Sequence, residues 1–342
     1  IGILHPDLWK IRKRAWEKFQ INPYQIVISA THTHSGPDTL GIWGRKFTES
    51  GKNPLYLKKI EKAVLDSIGE ALKNKKDAKI RFARVNVEPV IKDSRSPKVK
   101  DPYFFILQAV DKRGATLGTW SNLAMHPEVL TGKNTLISSD YPHYLREKLE
   151  KELGGVAVFT VGAIGGMQTP KRQSHGFREA KRMGQWIARQ GIGALQNKAY
   201  FVPHYARFQF QKVFFPITNI KFILAVYMGL FGSDLREKVL RQSTFFPFWS
   251  LESDIAYIEI GRLGILTIPG ELFPELALKI YQKFGRQNTI LLGLANNEIG
   301  YILPKESWTP DGYEETMSLG PDTAPILFEA LQNLWRKSQK KP

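Results

Sequence analysis

Cysteine is absent from the chain. That excludes disulfide bridges and thiolate metal sites and leaves the compartment open, because an oxidising compartment permits disulfides without requiring them. Acidic residues are scarce beside basic ones: 32 Asp and Glu stand against 49 Lys and Arg, a formal net charge of +17. Such a balance draws polyanions, either nucleic acid or an anionic membrane surface. Nucleic-acid signatures are missing, with no zinc-finger spacing, RNP motif or helix-turn-helix pattern. The basic residues are instead scattered over amphipathic segments such as Trp9-Lys10-Ile11-Arg12-Lys13-Arg14 and Leu57-Lys58-Lys59-Ile60-Glu61-Lys62, with a short basic tail from Arg336 to Lys341. No nucleic-acid partner is expected; solvated helix faces or attraction to acidic lipid account for the charge. Long apolar runs are lacking too. The stretch Val213 to Phe231 comes nearest, but Pro216, Asn219 and Lys221 interrupt it, and a spanning helix needs about 20 mainly apolar residues. A buried strand, a turn and a helix are expected there, or a lipid-facing rim beside a site.

What is present describes a folded chain: 342 residues, 42% hydrophobic and 24% charged, enough to bury a large core. Apolar positions at three-and-four spacing predict helices over 6–19 and 54–73, with further helices near 141–152, 177–196, 272–284 and 324–337. Runs rich in Val, Ile, Phe and Leu predict strands over 26–28, 78–88, 103–111, 116–124, 156–161, 201–216, 255–259, 263–268 and 289–294. This order is α/β, and the adjacent strands imply mixed β-sheets flanked by helices. No internal repeat, low-complexity linker or charge block marks a boundary, so residues 1–342 read as a single domain. The first residues, Ile1-Gly2-Ile3-Leu4, run directly into a helix. A clipped start is expected, with any signal peptide out of sight.

The most informative segment is Ser29-Ala30-Thr31-His32-Thr33-His34-Ser35-Gly36-Pro37-Asp38, which follows the apolar run Ile26-Val27-Ile28. Residues at i and i+2 of an extended chain face the same way, roughly 6–7 Å apart. Two imidazoles then converge, which suits a metal ligand beside a proton shuttle, since neutral imidazole binds zinc and titrates near neutral pH. Two polar residues making hydrogen bonds at a strand end would read the same way. Four other segments stand out. In Met125-His126-Pro127-Glu128 a histidine closes an apolar strand, a position as readily structural as ligating. In Pro269-Gly270-Glu271 a carboxylate opens a helix, where the helix dipole alone would favour it. Tyr301 lies past another strand, and Tyr313 follows it twelve residues on. Arg95 sits in the polar loop Asp93-Ser94-Arg95-Ser96-Pro97. Strand ends of α/β sheets are where sites assemble, and these ends carry metal-capable or proton-transfer groups, which places a metal site at the strand ends.

In order and wording these segments resemble the neutral, non-lysosomal ceramidases and their bacterial relatives, zinc-dependent amidases that cleave the N-acyl bond of ceramide. The resemblance runs from about residue 22 to about residue 325. It rests on Ala30-Thr31-His32-Thr33-His34-Ser35-Gly36-Pro37, Arg95-Ser96-Pro97, Met125-His126-Pro127, Pro269-Gly270-Glu271 and the Gly300-Tyr301 pair with Tyr313. It implies a zinc ion (Zn2+) held by His32, His126, Glu271 and Tyr301, and a substrate acted on by His34, Arg95 and Tyr313. Two imidazoles and a carboxylate are independently a known catalytic zinc set, and zinc lowers the pKa of water to about 7. Attack on an amide makes an oxyanion, for which Arg95 and Tyr313 are suitable donors, and His34 is the natural acid for the leaving amine. Tyr301 as a ligand rests on the resemblance alone.

Two departures bear on the substrate. The family's Gly-Asp-Val-Ser-Pro segment is replaced by Gly162-Ala163-Ile164-Gly165-Gly166-Met167-Gln168-Thr169-Pro170, and the C-terminal immunoglobulin-like domain of the long forms has no counterpart before Pro342. The expected function is zinc-dependent hydrolysis of ceramide or a ceramide-like lipid amide, with peripheral contact to an anionic membrane surface. The alternatives are a zinc amidase or esterase acting on another acyl substrate, and a non-catalytic basic protein of membrane surfaces. The resemblance favours a secreted, periplasmic or membrane-peripheral location.

Overall fold

Two four-stranded sheets carry the site, and a computed structural model describes them within residues 1–46, 49–232, 235–237, 239 and 249–339. Helix α1 (His5–Phe19) starts with a proline in its first turn and ends where Gln20, at φ 57°, turns back to the carbonyl of Trp16. Leu8, Ile11, Arg12 and Ala15 make its buried stripe. Helix α2 (Pro54–Lys73) is capped by the Asn53 side chain, which accepts from Leu55 and Tyr56.

Next come β1 (Lys79–Asn86), β2 (Ile91–Asp93), β3 (Tyr103–Val110), β4 (Thr116–Leu123), α3 (Tyr141–Leu153), β5 (Val156–Val161), β6 (Gln168–Pro170) and α4 (Phe177–Gln196). The first sheet runs β1-β3-β4-β5, antiparallel except for the parallel pair β4/β5 that α3 connects. The second half holds β7 (Ala206–Pro216), α5 (Ile220–Tyr227), β8 (Ser250–Ile260), β9 (Leu263–Thr267), β10 (Glu271–Leu272), α6 (Pro274–Phe284), β11 (Thr289–Leu292), β12 (Tyr301–Ile302), α7 (Tyr313–Thr316) and α8 (Thr323–Gln339). Its sheet runs β7-β8-β9-β11, again antiparallel except for the last pair, β9/β11, which α6 connects. The halves thus share one connectivity although their sequences show no repeat.

Alternation along the strands places the layers. Phe104 and Ile106 of β3 pack toward α3 and α4, whereas Phe105 lies between the sheets with Leu263, Ile265, Ile290 and Leu292. On the far side of the second sheet, Ile255 and Leu266 meet Leu327 and Leu331 of α8. The order is helix, sheet, sheet, helix. Among the described residues, no helix is long and apolar enough to cross a membrane.

Two local expectations change. Residues 26–28 are not a strand. The main chain of Ile28 bonds instead to the side chain and backbone of Asn296, Ile26 accepts from Arg12 Nε, and only Ser29 forms a bridge, to Ala295. Nor does Glu271 open a helix. It sits in β10, paired in parallel with Tyr301, and α6 starts only at Pro274. Proline at that first helical position gives up no hydrogen bond, which sets the start there. The helix dipole therefore does not account for Glu271.

Candidate metal centre

Three segments bring the histidines together. Ala30 N–H donates to the Leu294 carbonyl, Ser29 Oγ donates to the Gly293 carbonyl, and His34 N–H donates to the Pro127 carbonyl. These bonds hold the His-Thr-His segment between the ends of β4 and β11. His32 takes φ 61°, the left-handed region that non-glycine residues seldom occupy. The two imidazoles therefore converge through a turn and not along an extended strand. Their centroids lie 5.0 Å apart, and that of His126 lies 4.9 Å from His32 and 5.6 Å from His34. One ligating atom from each of the three rings fits within a 4.8 Å cluster.

Backbone carbonyls orient two of these rings. His32 Nδ1 lies 2.9 Å from the Ile1 carbonyl, and His126 Nδ1 lies 2.8 Å from that of Gln168. A carbonyl only accepts, so each Nδ1 carries the proton and each Nε2 presents a lone pair. Both Nε2 atoms face Glu271, at 3.6 Å from Oε1 for His32 and 3.3 Å from Oε2 for His126. Glu271 Oε2 is buried without a hydrogen bond. Acceptors converging in a buried space need a cation or a proton between them. The donor set therefore fits a divalent metal of the zinc type.

The electrostatics follow from that crowding. Burial, then the neighbouring His126 and His34, push the imidazole of His32 well down. Burial and His126 also lower His34, to about 3. Burial would lower His126 as well, but contact with the Glu271 carboxylate outweighs it and the net shift is upward. His34 is the most exposed ring of the three, and its Nδ1 lies 3.6 Å from Glu128 Oε2, a carboxyl raised by burial.

The tyrosines and Arg95 form a connected group beside Glu271. Tyr301 is buried, its ring 6.1 Å from that of Tyr313 and its hydroxyl 3.8 Å from Met167 Sδ. Burial and the nearby Glu271 push its phenol far up. Tyr313 is 64% exposed and begins α7. Arg95 Nη1 donates to Glu314 Oε2 at 2.6 Å and its Nη2 to Glu315 Oε1 at 2.7 Å, and its guanidinium lies over Phe273. Both terminal nitrogens of Arg95 are thus engaged by the helix that Tyr313 opens.

Sequence reasoning assigned no role to Glu128, Met167, Gln168 or Glu298. Glu298 is a buried carboxyl whose Oε2 is unpaired, and burial and then Glu271 push it well up. The polar run Asn296-Asn297-Glu298 is almost wholly buried, and a polar run past an apolar strand was the available signal. A second group, His5, Glu252 and Asp254, also has metal-capable spacing. There Asp254 already bonds His5 at 3.0 Å and Arg12 at 2.7 Å, so an ion-pair network accounts for it.

Fold and cluster together define a mixed α/β protein with a buried histidine–carboxylate centre able to hold a metal. Among solved structures the chain resembles the neutral ceramidase of Pseudomonas aeruginosa, with a TM-score of 0.73 and 19% identity, over 100% of this chain and 66% of that one. A ceramidase complexed with C2 aligns with a TM-score of 0.75 and 18% identity, over 98% of this chain and 66% of that one. The fold is therefore the neutral ceramidase fold. In sequence, the neutral ceramidase of Mycobacterium tuberculosis is 28% identical over 144 residues, 38% of this chain and 22% of the relative. No family model matches the chain. The chain thus spans under a quarter of that relative's length and about two thirds of each solved chain.

Proposed function

We propose that this chain is a zinc-dependent hydrolase that cleaves the N-acyl amide bond of ceramide or a ceramide-like lipid. The observation that carries the reading is the convergence of His32 Nε2 and His126 Nε2 on the unpaired carboxylate of Glu271, within the neutral ceramidase fold. His32, His126, Glu271 and Tyr301 would hold the ion. Zinc in such a set acts as a Lewis acid and makes water nucleophilic near neutral pH. His34, the most exposed of the three rings and 3.6 Å from Glu128, would take the proton of the attacking water and return it to the leaving nitrogen. Tyr313 donates its hydroxyl to the oxyanion, an interaction whose loss costs on the order of 10²–10³ in rate. Arg95 acts through Glu314 and Glu315, fixing the helix from which Tyr313 projects.

A lipid substrate calls for access from a bilayer. Trp43 is an exposed apolar side chain beside His34, and Leu136 and Ile137 are exposed on a loop whose Ser138 N–H donates to the Ser35 carbonyl. With the charge of +17, they support peripheral contact with an anionic membrane surface. Hydrolysis of a fluorescent ceramide before and after chelation tests the reading. Turnover abolished by the chelator and restored by zinc supports it. Turnover untouched by exhaustive chelation, or absent from the zinc-loaded chain, contradicts it.

A further inference from the structure

Between β6 and α4 the chain reads Lys171-Arg172-Gln173-Ser174-His175-Gly176, and its first five residues are exposed. With Lys92 and Ser94 these residues line a polar cleft of about 440 Å³ whose wall includes Glu128. Pairing of β2 with β6 sets Lys92 opposite Thr169, so one ribbon carries Lys92 and Lys171 to the same rim. Many surface lysines of this chain are in ion pairs, among them Lys112, Lys148, Lys221, Lys279 and Lys305. Lys92, Lys171 and Arg172 make no ion pair among the described residues; Arg172 only lies in the field of Glu128 and Asp140. Three cations thus face one cleft against the single carboxylate of its wall.

This cleft and the metal centre share that wall. Glu128 Oε2 is 3.6 Å from His34 Nδ1, Thr169 follows the residue whose carbonyl orients His126, and Ser94 precedes Arg95. A group bound in the cleft therefore lies one side chain from the proposed proton-transfer residue. The polar lining does not suit an acyl chain and suits a polar, charged head instead.

We propose that this cleft binds a phosphate monoester carried on the amine portion of an acyl-amide substrate. The inference rests on the hydrolase reading and extends its substrate class to N-acyl amines with an anionic head. Arg172 offers a planar fork that matches phosphate oxygens, and the two lysines add point charges; charge-assisted bonds of this kind are the strong ones. The carboxylate of Glu128 opposes the anion on one side and keeps the site selective for ligands that reach all three cations.

Calorimetric titration at fixed ionic strength decides it, with N-acetyl-phosphoethanolamine, N-acetylethanolamine and inorganic phosphate as probes. The phosphorylated amide should bind the chain at least about tenfold more tightly than the neutral one. The Lys171→Ala/Arg172→Ala double variant should erase that difference, and inorganic phosphate should bind about tenfold more weakly than the phosphorylated amide. Equal binding of both amides, or discrimination unchanged in the variant, overturns the proposal. Inorganic phosphate binding as tightly as the conjugate also overturns it, by making this a free-anion site. In hydrolysis of a fluorescent N-acyl amine with and without a phosphate, the variant should raise KM for the phosphorylated form alone. A parallel loss for both forms, together with lost binding to anionic vesicles, would make the cleft a membrane contact instead. If neither form is hydrolysed, the hydrolase reading fails, while the titration still decides what the cleft binds.

Discussion

His32 and His126 are each fixed by a carbonyl at Nδ1, which leaves each Nε2 to face Glu271. Replacing His126 with Ala should abolish stoichiometric metal binding, read by elemental analysis of the purified variant. His34→Ala should keep the metal and lose at least about 10²-fold in turnover, the usual scale of positioned acid–base catalysis; full turnover would remove it from proton transfer. Arg95→Ala leaves the buried Glu314 and Glu315 without their partner, so denaturant unfolding should show a loss on the order of 3 kcal/mol. Turnover should fall with it, as Tyr313 loses its anchored helix; unchanged stability would contradict the pairing. Much of this was legible, because His-Thr-His-Ser-Gly-Pro and Pro-Gly-Glu are unusual local wordings. The left-handed His32 and the carbonyl partners were not, since no local pattern encodes a bond to a main chain dozens of residues away.

At the scale of elements, periodicity located the longer helices and most strands within a few residues, because their apolar faces are buried and regular. It failed at residues 26–28, where Asn296 replaces a neighbouring strand as hydrogen-bond partner. It failed also at Glu271, where Pro274 and not the carboxylate marks the start of α6. Helix packing offers a sharp test. A Cβ on Gly184 of α4 would lie 2.4 Å from the Tyr141 carbonyl oxygen and 2.8 Å from the Leu145 nitrogen of α3. Alanine gains up to about 1 kcal/mol of helix propensity over glycine, but this clash is with backbone, and overpacking costs about 1–3 kcal/mol. Gly184→Ala should therefore lower stability in chemical denaturation; a more stable variant would contradict the close crossing of α3 and α4.

On the scale of the molecule, His126 and Glu271 lie at corresponding places. Each follows the third strand of its sheet, on the connection that carries the helix leading to the parallel strand. The shared connectivity was invisible in the sequence because sheet topology constrains burial pattern and not residue identity. A second link spans the chain, from His5 and Arg12 in α1 to Asp254 in β8. Burial pushes the Asp254 carboxyl up, but His5 and Arg12 outweigh it and hold the group below its ordinary 3.8. A depressed carboxyl contributes stability that is present above 3.8 and lost as pH falls through its lower folded value. The thermal midpoint should therefore drop on going from pH 5 to pH 2, and drop less in Asp254→Asn. The central claim is that this fold holds a catalytic metal between its two halves, and the most direct measurement is the zinc content of the purified chain. About one zinc per chain, lost in His126→Ala and kept in His34→Ala, is the predicted result. A chain that takes up no zinc on reconstitution, or a His126→Ala variant that keeps it, would contradict the account.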